Sequence, residues 1–256
     1  MDASSLLAIA VEAAEAAGDL LLSRFRAPAR GVERKSSTTD MVSDADRDAE
    51  ALIREILTEA RPDDAILGEE EGERGGGSGL RWVIDPLDGT TNFLFGLPQW
   101  AVSIACEDGD GGLVGVIHAP CQSETFTALR GAGAFLGGER LEVSRKTDLS
   151  DALVATGFSY VPEERGAQAE VLTRVLPEVR DIRRPGAASL DLAWTAAARF
   201  DGYYEVPSHH WDWAAGVVIV REAGARVGEL AAIGPSGPGL IAAGNGVYDA
   251  LARLVT

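Results

Sequence analysis

Carboxylates at the ends of apolar runs are the residues best placed to do chemistry in this 256-residue chain. The segment Trp82–Phe93, WVIDPLDGTTNF, runs an apolar strand into Asp85, breaks it at Pro86 and then presents Asp88. Proline cannot continue a β-ladder, so the chain turns and both acids can face one point. Carboxylates this close repel unless something positive sits between them, and a hard divalent cation with oxygen ligands meets that need. Gly89, Thr90 and Thr91 follow, with backbone N–H groups at an expected helix start, where a phosphate oxygen is well bound. Read alone, the same residues also describe an Asp-Pro turn followed by an Asp helix cap.

Two further acid clusters lie far away in sequence. Gly68-Glu69-Glu70 ends a short strand-like piece, and Glu71 extends it into what could equally be a solvated acidic loop. Trp211-Asp212-Trp213-Ala214-Ala215-Gly216 places an acid at the start of a helix whose apolar face is Val217, Val218 and Val220. Common catalytic motifs are missing: no Gly-x-Ser-x-Gly elbow, no His-Glu-x-x-His and no P-loop Gly-Lys-[Ser/Thr]. GAGAFLGG at 131–138 has Leu136 where a dinucleotide fingerprint needs its third glycine. Only His118, His209 and His210 supply imidazoles, so a histidine-based hydrolase is a poor fit.

The elements that must position these acids follow from periodicity. Leu6, Ile9, Ala10, Ala13, Ala17, Leu20 and Leu21 recur at helical spacing, and a second helix starts near Ser43 with Leu52, Ile53, Ile56 and Leu57 on one face. The glycine-rich stretch Gly72–Gly79 reads as an exposed hairpin or loop. Residues 80–143 hold short β-type runs separated by Gly and Asp clusters, which predicts an antiparallel meander. After Ser144 strands at 153–156, 202–206, 225–227 and 240–243 alternate with helical stretches, an α/β pattern. The chain therefore reads as two closely packed lobes, an α+β lobe over 1–143 and an α/β lobe over 144–256, with a site in the crease.

Composition narrows the partners. Forty Asp+Glu against 23 Lys+Arg leave a net charge of −17, which argues against nucleic acid and against an anionic membrane surface. A hydrophobic content of 46% in periodic blocks excludes a disordered chain. Cys106 and Cys121 form no disulfide framework or metal motif and are expected as buried free thiols. No signal-peptide pattern or membrane-length apolar run occurs, so the expected compartment is the cytoplasm.

Taken together, Gly68-Glu69-Glu70, WVIDPLDGTTNF and WDWAAG with the following VVIVREAG resemble the inositol monophosphatase family, Mg²⁺-dependent and lithium-sensitive phosphatases. The order of elements agrees over essentially the whole chain. The resemblance implies a layered αβαβα sandwich. It implies that Glu69, Asp85 and the Leu87 carbonyl hold one Mg²⁺ and that Asp85, Asp88 and Asp212 hold a second. Glu70 would support the site and a weaker third ion. Asp46 and Thr90 match the positions that orient the attacking water, although Asp46 also completes a capping box with Ser43. Lys35 matches a lysine on a loop near the metals.

For the substrate, the resemblance implies hydroxyl contacts at Gly186, Ala187, Ala188 and Glu205, with Asp88, Gly89, Thr90 and Asp212 as further substrate-binding residues. The family commonly has Thr where this chain has Ala187, so one hydroxyl is missing. Arg183 and Arg184 read more readily as surface or dimer residues, and His209 and His210 as exposed loop residues, than as substrate contacts. The expected reaction is hydrolysis of a small phosphate monoester, myo-inositol 1-phosphate first, by a homodimer. Histidinol phosphate, fructose 1,6-bisphosphate or a nucleotide-derived phosphate are the alternatives within the family. A non-catalytic metal-binding regulatory module is the alternative of another class.

Overall fold

The computed structural model describes residues 2–27, 32–34, 41–206, 209–234 and 236–256. The first half runs α1 (Ala3–Arg24), β1 (Glu33–Arg34), β2 (Met41–Val42), α2 (Asp44–Ala60), β3 (Ala65–Gly68), β4 (Gly72–Arg74), β5 (Arg81–Asp88), α3 (Thr90–Leu94), β6 (Ala101–Asp108), β7 (Gly111–Ala119), β8 (Glu124–Leu129), β9 (Gly133–Leu136) and β10 (Glu139–Arg140). The second half runs β11 (Leu153–Thr156), α4 (Pro162–Val175), β12 (Asp181–Arg183), α5 (Ala188–Ala196), β13 (Gly202–Glu205), α6 (His210–Glu222), β14 (Arg226–Leu230), β15 (Gly239–Ala243) and α7 (Asn245–Val255).

Strands β3 to β10 form one eight-stranded sheet in the order β10-β9-β8-β7-β6-β5-β3-β4. The meander from β5 to β10 is antiparallel throughout, and only β3 and β5 run parallel. The second sheet, β12-β11-β13-β15-β14, is mixed: β11 pairs β12 and β13 in parallel, whereas β15 is antiparallel to both its neighbours. The short β12 and the pairing of Gly72–Arg74 with β3 are additions to what periodicity predicts, since three-residue strands carry too few alternations to read.

Five layers follow from the two faces of each sheet. Successive strand residues point to opposite sides. On β5, Trp82 and Ile84 join Leu6, Ala10, Leu21, Ile53 and Leu57 of α1 and α2, while Val83 joins a second core with α5 and α6. On the other sheet, Ala155, Tyr203 and Ala242 face that same second core. Their neighbours Val154, Tyr204 and Ile241 pack against Val171 and Val175 of α4 and Leu251 and Val255 of α7. Helix pair, sheet, helix pair, sheet and helix pair make the αβαβα sandwich, with α5 and α6 sealed between the sheets.

Pro86 has a specific consequence for β5. Asp85 lies opposite Ser103 and Asp88 opposite Ala101, so three steps on β5 match two on β6. In a regular strand residues three apart face opposite sides; the extra residue of this bulge brings both acids into the same cavity. Gly89 then turns the chain with φ +94°, and a methyl group there would lie 2.8 Å from the Gln99 carbonyl oxygen. Only glycine fits both conditions.

Candidate active site

A cavity of about 520 Å³ opens where the C-terminal end of β5 meets the N-terminal ends of α5 and α6. Glu69, Asp85, Leu87, Asp88, Gly89, Thr90, Gly186, Ala188, Glu205, His209 and Asp212 all line it, so the turn after β3 and the elements β5, α3, α5, β13 and α6 converge on one space.

Asp85 is 2% exposed and its Oδ1 accepts a 3.0 Å hydrogen bond from the Leu87 N–H. Burial and the nearby charges of Glu69, Asp88 and Asp212 push its carboxyl well above the usual range. The Asp212 carboxyl is likewise pushed well up by burial, Glu69 and Asp88, while its Oδ2 accepts from the His209 N–H at 2.6 Å. Asp88 spans the two halves of the chain: Oδ1 accepts from Ala188 N–H at 3.1 Å, and Oδ2 accepts from Ser189 N–H at 2.7 Å and Ser189 Oγ–H at 2.5 Å. Burial still lifts it to about 6 against those bonds.

Among the described residues, no Lys or Arg forms a salt bridge with Asp85, Asp88 or Asp212, and the charge of Glu69 raises the carboxyls of all three beyond what burial does. Four carboxylates and the Leu87 carbonyl are hard oxygen donors of the kind Mg²⁺ takes. The donor set fits the ion in chemistry. As the side chains lie, no three of the described acids, histidines or cysteines close around a single point that could hold a metal ion. Both oxygens of Asp88 and Oδ2 of Asp212 are turned to the protein donors just named.

Thr90 and Asp46 sit beside these acids. Thr90 Oγ is 3.0 Å from both Asp46 Oδ1 and the Leu87 carbonyl, and its single hydrogen can serve only one of them. The other Asp46 oxygen accepts from Ser43 N–H at 2.9 Å and Ser43 Oγ–H at 2.5 Å. Capping box and Thr90 contact therefore coexist, one per carboxylate oxygen. Burial raises the Asp46 carboxyl despite the bonds from Ser43 and Thr90.

Several expectations change. Ala187 is 1% exposed and belongs to the core between the sheets, so its side chain does not reach the cavity. The Ala188 N–H, expected to face a ligand, is taken by Asp88. Arg184 lines the cavity, whereas Arg183 pairs with Asp181 at the surface. The neighbouring histidines part company: His209 stacks on Trp211 at the cavity rim, but His210 Nε2 lies 2.8 Å from Glu107 Oε1 in a second cavity of about 670 Å³ behind α6. Glu70 is outside the lining and donates its N–H to Glu50 at 2.8 Å. Lys35 lies outside the described residues. Both cysteines are free, Cys106 buried and Cys121 half-buried.

Other residues shape the site without an obvious motif. Fully buried Glu50 accepts from the N–H groups of Glu70 and Glu71 and from Arg54 Nε. It continues the α2 stripe of Ala49, Ile53 and Leu57, and an acid on such a stripe is the signal that could have found it. Asp191 is 1% exposed, carries an oxygen with no hydrogen-bond partner among the described residues and is pushed well up by burial and by Glu205 and Asp88. Asn92 Nδ2 donates to the Gln99 and Pro185 carbonyls, tying the turn after β5 to the segment before α5.

Glu205 accepts from Tyr203 Oη–H at 2.9 Å. Burial lifts its carboxyl to about 7, with Asp88 adding to the rise and Tyr203 and Arg184 opposing it. A carboxyl raised on folding stabilises the fold fully below its unfolded value and loses that contribution as pH rises through the folded one. In EDTA, Tm should therefore fall between pH 5 and pH 8, and Glu205→Gln should flatten that slope. An unchanged slope would remove Glu205 as a contributor.

Comparison with known proteins agrees with this architecture. Residues 2–253 match the model of the inositol monophosphatase family. The chain is 46% identical over 227 residues to the inositol-1-monophosphatase of Rhizobium meliloti, covering 88% of this chain and 85% of that protein. It is 41% identical over 227 residues to the Nus factor SuhB of Escherichia coli K12, with the same coverage. The crystal structure of the extragenic suppressor protein suhB from Bartonella henselae superposes with a TM-score of 0.92 at 40% identity, covering 98% of each chain. Fold, acidic cavity and relatives together define a phosphoric monoester hydrolase. The chain belongs to the inositol monophosphatase family.

Proposed function

We propose that this hydrolase uses Mg²⁺ to cleave a small polyol phosphate, with myo-inositol 1-phosphate as its first substrate. The observation that carries the reading is the convergence of Glu69, Asp85, Asp88 and Asp212 on one cavity beside the Thr90–Asp46 pair. Glu69, Asp85 and the Leu87 carbonyl would hold one ion, and Asp85, Asp88 and Asp212 a second, with Glu70 supporting a weaker third. When bound, Mg²⁺ supplies positive charge to the phosphoryl oxygens and makes a neighbouring water more acidic.

The chain's own residues supply orientation and proton transfer. With its hydrogen directed to Asp46, Thr90 Oγ offers a lone pair to the attacking water and Asp46 takes up the proton released. Burial raises Asp46's proton affinity, which suits a base better than an exposed aspartate would. The water oxygen forms a bond to phosphorus as the ester P–O bond breaks, and the departing alkoxide takes a proton from solvent. Gly89 and Thr90 would bind the phosphate, and Glu205 and Asp212, with Gly186 and Ala188 beside them in the lining, would face the ring hydroxyls.

Residues 1–143 then form the lobe bearing most of the candidate ligands, and residues 144–256 the lobe bearing Asp212 and the ring contacts. Two free thiols support a reducing cytoplasm as the compartment. No helix of the described residues is long and apolar enough to cross a membrane. A homodimer inhibited by Li⁺ completes the reading.

Phosphate release from inositol 1-phosphate, histidinol phosphate and fructose 1,6-bisphosphate, with and without Mg²⁺ and Li⁺, tests it. The highest kcat/KM should fall on inositol 1-phosphate, with loss on Mg²⁺ removal and inhibition by Li⁺. A higher value on another ester would replace the substrate. Turnover of none would favour a metal-binding regulatory role.

A further inference from the structure

Two loops close the cavity on its Glu205 side. Residues 157–161 follow β11, and Gly157 brings them so close that a methyl group there would lie 2.0 Å from the Glu205 carboxylate. Ser236, in the stretch between β14 and β15, lines the same cavity. The two loops lie far apart in sequence, yet they share one partner in the first turn of α4.

That partner is Glu164, which is 3% exposed. Its Oε2 accepts from Ser159 Oγ–H and from Ser236 Oγ–H at 2.9 Å, and its Oε1 accepts from Ser236 N–H at 3.0 Å. Gly234 permits the approach, since a methyl group there would lie 2.4 Å from Glu164 Oε1. Neighbours on α4 extend the grip. Gln168 Oε1 accepts from Ser159 N–H at 3.0 Å while its Nε2 donates to the Val206 carbonyl just past Glu205. Arg165 donates to the carbonyls of Ser159 and Tyr160, both at 3.1 Å. Burial pushes the Glu164 carboxyl up, but the bonds from Ser159 and Ser236 outweigh it and hold it below the usual range. The helix itself is anchored elsewhere, through Val171 and Val175 in the outer core.

We propose that Glu164 is a positioning residue for substrate choice: by tying both loops to α4 it fixes the wall behind Glu205, and so selects leaving groups that carry several hydroxyls. The wall contributes Ser159, Tyr160 and Ser236 beside Glu205, groups able to hydrogen-bond the hydroxyls of a polyol, together with Phe158 and Val161 of the same loop. The proposal rests on the cavity being the phosphomonoester site.

Glu164→Ala and Glu164→Gln should be compared with the parent on inositol 1-phosphate, on glycerol 2-phosphate and on p-nitrophenyl phosphate. Losing two to three shared hydrogen bonds should raise KM for the polyol esters roughly tenfold with kcat within about twofold. KM for p-nitrophenyl phosphate should change less than about twofold, and the glutamine, which keeps an acceptor, should recover part of the loss. Hydrogen exchange at the Ser159 and Val161 amides should accelerate in Glu164→Ala while α4 beyond Gln168 stays protected. Equal factors on all three esters, or unchanged exchange, would overturn the assignment. Exchange reads the wall without turnover, so a parent enzyme inactive on the polyol esters would sink the substrate reading alone.

Discussion

Asp85→Asn is expected to cut Mg²⁺-dependent phosphate release by about 10³-fold while raising the Tm of the metal-free protein. Asp85 is the one acid assigned to both candidate ion positions, so its loss removes a donor from each. The amide keeps the shape and can still accept from Leu87 N–H, which separates charge from packing. In EDTA the same change relieves the repulsion of Glu69, Asp88 and Asp212 and the burial of an anion. Each kcal/mol so recovered shifts Tm by about 2–4 °C in a chain of this size. Because the Asp85 carboxyl is pushed up, lowering the pH neutralises it in the parent as well. The difference in Tm should accordingly shrink from pH 7.5 to pH 5. Calorimetry in EDTA at both pH values, paired with a phosphate-release assay, decides the matter. Retained activity would remove Asp85 from the ion site, and a lower Tm at pH 7.5 would mean that the acid is held by something other than repelling neighbours.

Trp82–Asp88 shows why some of the site was legible in the sequence. An apolar run broken by proline between two acids dictates a turn, and the bulge opposite Ser103 and Ala101 is what that turn became. Asp46 and Thr90 were legible through resemblance, and Ser43 through its cap. Long elements with clear periods, such as α1, α2 and the β5–β10 meander, followed from spacing alone. What escaped depends on contacts between segments far apart in the chain. Ser189 bonds Asp88 across 101 residues, and nothing near either residue marks the pairing. Ala187 reads as a lost hydroxyl contact, but the structure turns its side chain into the core. His209 and His210 are adjacent and chemically identical, and only the start of α6 between them, with His209 extended before the helix and His210 in its first turn, assigns them to different cavities. The antiparallel β15 escaped because an apolar strand reads the same in either direction.

Glu50 is the clearest of these hidden residues, and its removal carries the second large effect. Its carboxylate is 0% exposed and binds Arg54, itself 12% exposed, at 2.7 Å. It also receives two backbone N–H groups from the loop that carries Glu69, and Arg54 fastens the same loop by donating to the Gly72 carbonyl at 2.6 Å. Gly68 leaves room for this arrangement, because a methyl group there would lie 2.1 Å from Glu50 Oε1. Glu50→Ala removes one partner of a buried pair, leaves two amides without their acceptor and leaves Arg54 with only the Gly72 carbonyl and the Glu71 carboxylate, 3.4 Å away. Such losses cost about 3–5 kcal/mol, and urea unfolding should show a loss of that order. Glu50→Gln should cost less, since it offers one acceptor oxygen but sets an NH₂ group against the remaining donors. The functional consequence differs from that of Asp85→Asn, because every candidate ion ligand is still present. Glu69 becomes loosely held, so the Mg²⁺ concentration for half-maximal rate should rise about 10- to 100-fold while saturating Mg²⁺ restores most of kcat. Arg54→Ala should shift the Mg²⁺ requirement in the same direction, and the double variant should be far from additive, because both residues hold one loop. An unchanged Mg²⁺ requirement with the full stability loss would confine Glu50 to the fold and leave the position of Glu69 to β3 and β5 alone.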